Sequence, residues 1–270
     1  MDKFNRNGFW MGAVSLLLLF SVGCTTGQME NSSEGGDFFE AAKIDLARLP
    51  AEVIKDSNDT LLRRDNFTAL LLAGGASIAM HNSDADKNIA ENVDNHQVCS
   101  GFWDESLNIM GSPGTHFALT GLWYAISVEN EDYINKERAW TMIRALSVTG
   151  MTTLTLKAIR HNDSPNGAPW AWPSGHTSSS FTVASVLDEF YGPKVGIPAY
   201  IGASLVAYRM LDAGDHWGSD IVFGATLGWI VGHTIAAKHK LPEIAGFKVL
   251  PYSGGTGEDR GFGVLLMKRF

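Results

Sequence analysis

Pro173-Ser174-Gly175-His176-Thr177-Ser178-Ser179-Ser180-Phe181 is the stretch from which the rest of the chain is read. Pro173, Ser174 and Gly175 break the preceding element, and a helix-like run begins at His176. Ser174 is a good N-cap, because its hydroxyl can accept from a free amide of the first turn. Gly175 lets a ligand approach the backbone closely. The unpaired N–H groups of a helix start form a natural phosphate cradle. His176 sits at its rim, where an imidazolium can give a proton to a leaving oxygen. Taken alone, the stretch also describes an ordinary capped helix carrying an exposed histidine.

Forty residues downstream comes His216-Trp217-Gly218-Ser219-Asp220, with Arg209 ahead of it. His216 and Asp220 are four apart and share a face of any helical turn. A carboxylate bonded to one imidazole nitrogen fixes the tautomer and leaves the other a better nucleophile. An incidental polar pair at a helix start, with Asp220 as cap, has the same spacing. Upstream lies Lys157-Ala158-Ile159-Arg160-His161-Asn162-Asp163-Ser164-Pro165, two cations at the end of a long apolar segment, which the helix dipole alone would favour.

Six apolar, helix-length segments frame these stretches: Phe67–Met80, His116–Val128, Ala139–Ile159, Ser180–Phe190, Ile197–Leu211 and Ile221–Ala237. Clusters such as Tyr191-Gly192-Pro193 separate them. Most are interrupted by polar residues before reaching the roughly eighteen apolar residues of a membrane span. The expected fold is therefore all-α, a soluble bundle of about six core helices. Phe247–Tyr252 and Phe262–Phe270 flank a Ser-Gly-Gly-Thr-Gly turn and predict a small C-terminal β-hairpin. The expected division is a leader over 1–23, a tether with a short helix over 24–60, a helical domain over 61–242 and a hairpin tail over 243–270.

The 270 residues carry a net charge of -8 and no basic run, which excludes nucleic acid as a partner. A single phosphate group needs only a few local cations, so a phosphoester remains a reasonable substrate. Lys3 and Arg6 precede the apolar stretch Phe9–Val22, the pattern of an export signal. It ends in Ser21-Val22-Gly23-Cys24, which resembles the lipobox of bacterial lipoproteins apart from Ser21, where leucine is preferred. That resemblance implies lipidation at Cys24, a membrane anchor and a location outside the cytoplasm. A plain cleaved signal with an incidental cysteine is the simpler alternative. With Cys24 acylated, Cys99 has no intrachain partner.

Together the three stretches resemble the tripartite signature of the type 2 phosphatidic acid phosphatase family, which includes class A bacterial acid phosphatases and vanadium haloperoxidases. The resemblance covers roughly residues 117–237, with Gly224 and Gly228 on the helix after the last motif. It implies that His216 attacks phosphorus, that Asp220 orients it, and that His176 protonates the leaving alcohol and later activates water. Lys157, Ser174 and the Gly175 amide would hold the equatorial oxygens. No metal or cofactor is implied. The implied activity is a phosphatase acting on a soluble phosphoester or a lipid phosphate. The alternatives are a degenerate phosphate- or lipid-binding member and, less favoured, a vanadate-dependent haloperoxidase.

Two positions depart from the signature. Ser164 stands where the family has an arginine before Pro165, and Arg209 lies seven residues before His216 instead of six. One helical position turns a side chain by about 100°. Each lost guanidinium removes a bidentate phosphate clamp. The expectation is that a local insertion lets Arg209 still reach the phosphate and that Arg160 partly substitutes at the first motif.

Overall fold

The helix that Ser174 was expected to start runs Gly175–Tyr191 in the computed structural model, which describes residues 36–238, 243–244, 247–254 and 261–267. Nine helices occur among the described residues: α1 Gly36–Leu61, α2 Arg64–Asn82, α3 Ala85–Asp94, α4 Phe102–Gly111, α5 Pro113–Glu129, α6 Tyr133–Arg160, α7 Gly175–Tyr191, α8 Pro193–Asp212 and α9 Gly218–Lys238. The six expected segments are α2 and α5 to α9, with somewhat wider bounds. Asp132 caps α6 by accepting from Asn135 N, and the left-handed conformation of His161 ends it.

The short helix expected with the tether over residues 24–60 is, from Gly36 on, a 26-residue helix packed on α6 and α5. Its acidic residues answer polar groups of α5 and α6. Asp56 and Glu52 pair with Arg144 at 2.6 and 3.5 Å, and Glu52 accepts from Trp140 Nε1 at 2.8 Å. Asp45 accepts from Tyr124 Oη and pairs with Lys136. Arg144 is nearly buried, so these partners spare it the cost of an unpaired charge. The short helices α3 and α4, ten residues each, were not anticipated.

The centre of the bundle is α7, packed between α6 and α9. Met142, Ala145, Leu146, Val148, Val186, Phe223, Leu227, Val231 and Ile235 form the apolar core. Towards the Ser174 end of α7 the contacts become small and polar. Thr149 meets Thr182 at 2.8 Å and Thr153 meets Ser178 at 3.1 Å between α6 and α7. Gly224, Gly228 and Gly232 present one bare face of α9 to α7, so close that added methyl groups would strike α7 backbone. The two glycines after the last motif, Gly224 and Gly228, thus let α9 pack directly on the backbone at the start of α7.

One described helix, α9, is long and apolar enough to cross a membrane, and much of it is buried inside the bundle. After it, the backbone of Glu243–Ile244, Phe247–Gly254 and Gly261–Met267 runs extended and antiparallel in that order. The fold class is that of the helices. The signal, lipobox and Cys24 readings lie outside the described residues.

Candidate active site

Four helix ends converge: the C-termini of α6 and α8 and the N-termini of α7 and α9. Ser174 Oγ accepts from Thr177 N at 3.3 Å, as an N-cap should, and is fully buried. Ser174 N donates to the Asp220 carbonyl at 3.2 Å, which ties the second stretch to the third. His216 Nδ1 faces Asp220 Oδ2 at 3.4 Å, and the same oxygen accepts from Trp217 N at 2.9 Å. The carboxylate is buried and its other oxygen has no hydrogen-bond partner among the described residues. Held this way, it fixes the edge of the His216 ring and leaves Nε2 for other work.

The Lys157 ammonium reaches across to the Trp170 carbonyl and to the Ala171 carbonyl at 3.1 Å. Burial lowers its pKa to about 8, against the opposing pull of the Asp220 charge. The loop from Asn162 to Pro173 is closed by Ala171 N on Asn162 O and Trp172 N on Asn162 Oδ1. Trp217 Nε1 donates to Asp163 O at 2.8 Å, and Asn166 N to Gly214 O at 3.0 Å, lacing the first motif to the third.

The two departures have structural explanations. Ser164 is buried and organises its own loop, donating to Asn166 Oδ1 and Ala168 O and accepting from Ala168 N. Arg209 is buried and already paired. It meets Asp104 through Nε at 2.7 Å and a second nitrogen at 3.2 Å, and Asp215 at 2.6 Å. Arg160 is spread over the Trp172 ring at 5.0 Å. Trp172 itself packs on Phe223 and donates to Ser77 Oγ, so it belongs to the core. Trp170 leans on His161 at the surface.

Two contributors escaped the sequence reading. His116, at the start of one of the apolar segments, lies close enough to lower the pKa of His176. Asp86 on α3 accepts from Ser219 N at 2.9 Å and Ser219 Oγ at 2.6 Å, capping the helix that carries Asp220. His81 bonds the same carboxylate. No local signal in the sequence links residues 133 positions apart, so only the fold could reveal this cap.

Burial, followed by the charges of His216, Arg209, His116 and Lys157, lowers the His176 pKa from 6.5 to about 3. Burial lowers His116 to about 4, partly offset by the backbone of Met110. Both rings are neutral in the folded protein near neutrality and become protonated on unfolding once pH drops below about 6.5. The unfolded chain then binds more protons, so stability falls as pH drops from 6.5 towards these depressed values. A melting series in His116→Asn should show a shallower loss between pH 6.5 and 5, a range above most carboxylate titration, than the parent. Equal slopes would mean that His116 is not buried neutral.

Residues 88–241 match the family model described as the PAP2 superfamily, over more than half of the 270 residues, and the chain belongs to that superfamily. Among its relatives, the lipid A 1-phosphatase of Porphyromonas gingivalis is 27% identical over 123 residues. That match covers 42% of this chain and 28% of the relative's length. Two solved structures also match. A transmembrane PAP2-type phosphatidylglycerolphosphate phosphatase from Bacillus subtilis superposes with a TM-score of 0.55 at 16% identity, over 64% of this chain and 94% of that one. LpxE from Aquifex aeolicus gives 0.47 at 21% identity, over 55% and 92%.

Proposed function

We propose that the chain is a phosphoric-ester hydrolase acting on a lipid phosphate through a phosphohistidine on His216. The observation that carries this reading is the buried His216–Asp220 pair tied through the Asp220 carbonyl to the capped phosphate loop at Ser174. Family membership supports it, and the lipid class follows the matched relatives and the lipobox at Cys24. In the first step His216 Nε2 bonds to phosphorus as the ester P–O bond breaks, and His176 gives its proton to the departing alkoxide. In the second, water attacks the phosphoryl group, His176 takes the proton, and the N–P bond breaks to release phosphate.

This scheme needs a protonated His176 when substrate is bound, whereas the ligand-free ring is neutral. A phosphate dianion in the cradle supplies that shift, because an adjacent negative charge favours the imidazolium. Lys157, Ser174 Oγ, the Gly175 amide and the first amides of α7 bind the equatorial oxygens in this scheme. Arg160 and Arg209 act from their places on Trp172 and between the two aspartates, and a substrate phosphate must compete for Arg209 with Asp104 and Asp215. The leader at 1–23, the anchor at Cys24 and the hairpin over 243–270 complete the proposed organisation, with the helical domain placed outside the cytoplasm.

The test is release of phosphate from phosphatidate in mixed micelles, and from an aryl phosphate, with chelator present. Turnover that survives chelation and is blocked by orthovanadate is the expected result. A neutralised Arg209 favours the second reading, a non-catalytic binding member. Vanadate bound to an inert protein would establish that reading, and halide oxidation by the vanadate-loaded protein would point to the haloperoxidase branch.

A further inference from the structure

The short helix α4 is built the wrong way round for a globular surface. At about 100° per residue, Phe102, Trp103, Ser106, Ile109 and Met110 fall within an arc of about 120°. Asp104 and Asn108 lie opposite. Surface helices ordinarily turn the apolar stripe to the core and the polar one to water. Here the polar residues face inward, because buried Arg209 needs partners: Asp104 holds it through two oxygens and Asn108 Oδ1 approaches it at 3.4 Å. The apolar residues are left outside, with Phe102 75%, Trp103 68%, Met110 64% and Ile109 51% exposed. Phe102 and Trp103 pack edge to face with each other.

The placement of α4 is as specific as its orientation. Gly111 at its end packs so tightly on Val206 of α8 that any side chain would collide, and its carbonyl accepts from Ser179 Oγ of α7. Met110 lies against His116, itself a neighbour of His176. The exposed apolar arc is therefore moored next to the catalytic histidines by the very arginine that departs from the family spacing.

We infer that the outer face of α4 is a lipid-docking surface that seats the active-site end of the protein on a bilayer, with Phe102 and Trp103 entering the headgroup–acyl boundary. The inference rests on the lipid-phosphate reading and deepens it. A second copy of the chain is a poorer occupant. Ten residues make a helix about 15 Å long and, with side chains, about 10 Å across, far short of the roughly 800 Å² per partner in a standard interface. Charge argues in the same direction. At -8 the chain has no electrostatic attraction to an anionic membrane, so a surface contact must be made by apolar insertion. Phe and Trp are residue types that settle at that depth. An ester phosphate held at the bilayer surface would then meet the α7 cradle without leaving the lipid.

The test uses the full chain on phosphatidylcholine vesicles, with and without brominated acyl chains. Brominated lipid should quench tryptophan fluorescence in the parent, and Trp103→Phe should remove the largest part of that quenching, however the N-terminus is anchored. In parallel, the double variant Phe102→Asn, Trp103→Asn should lose about tenfold in kcat/KM on vesicle-borne phosphatidate while its turnover of a soluble aryl phosphate is unchanged. Quenching that is unaltered by Trp103→Phe overturns the proposal. So does a parallel fall on both substrates, which would make α4 a support of the fold, or a parent dimer that the double variant converts to monomer. If the parent hydrolyses neither substrate, the lipid-phosphate reading fails, and the quenching measurement still decides whether α4 meets lipid.

Discussion

His216→Ala should lower aryl phosphate turnover by at least about a thousandfold and leave the fold intact, because it removes the phosphoryl acceptor and not a packing element. His216 lies in the turn just ahead of α9, buried, with its ring edge held by Asp220. The Trp217 amide and Ser174 amide hold Asp220 in turn, so the loop geometry does not depend on the His216 ring. Rapid mixing with labelled substrate should trap an acid-labile, alkali-stable phosphoprotein in the parent and none in the variant. His176→Ala separates the two steps. With a good leaving group it should still become labelled, then stall, because no base remains to activate water. Parent and His216→Ala rates within tenfold of each other would refute a phosphohistidine route.

The second large effect concerns stability. A methyl group on Gly228 would lie 2.2 Å from the Ser178 carbonyl and 2.9 Å from Thr182 N, both backbone atoms that cannot swing aside. Gly228→Ala must push α9 off α7, and the expected loss is about 3 kcal/mol or more, at the upper end of overpacking costs. Gly224→Ala meets the Ser174 carbonyl at 2.9 Å, so its smaller displacement falls on the phosphate loop and should reduce turnover as well. Gly121 is the control. It is exposed on α5 with nothing within 4 Å, and Gly121→Ala should gain roughly 0.5–1 kcal/mol from helix propensity. Urea titration of the three variants measures the contrast. A Gly228→Ala protein as stable as Gly121→Ala would contradict the packing described here.

These two predictions draw on different kinds of information. Ser174, His176, His216 and Asp220 were legible because their roles depend on short spacings: a cap followed by a first turn, and two side chains one turn apart. Local stereochemistry decides such features, so they can be read without knowing what lies opposite. The six long helices were legible for a similar reason, since each is an apolar segment bounded by its own breakers. The reach of Arg209 was not. Its partners are Asp215, six residues on, and Asp104, more than a hundred residues away. Spacing along α8 fixes the direction of the side chain but says nothing of which carboxylates meet it.

The same limit explains α1 and α4. Each is polar where a solitary helix would be solvated, and each turns that polarity inward because a buried arginine, Arg144 or Arg209, is waiting on another helix. A buried guanidinium must be paired, and only the assembled fold determines which chain segment does so. The sequence by itself determined the helical class, the superfamily signature and the positions of the nucleophile and acid candidates. The tertiary structure alone decided the capping of α9 by Asp86, the withdrawal of His116 and His176 into neutral form, and the mooring of α4. Those outcomes depend on burial and on charges brought together across the chain, and neither quantity exists until the helices have packed.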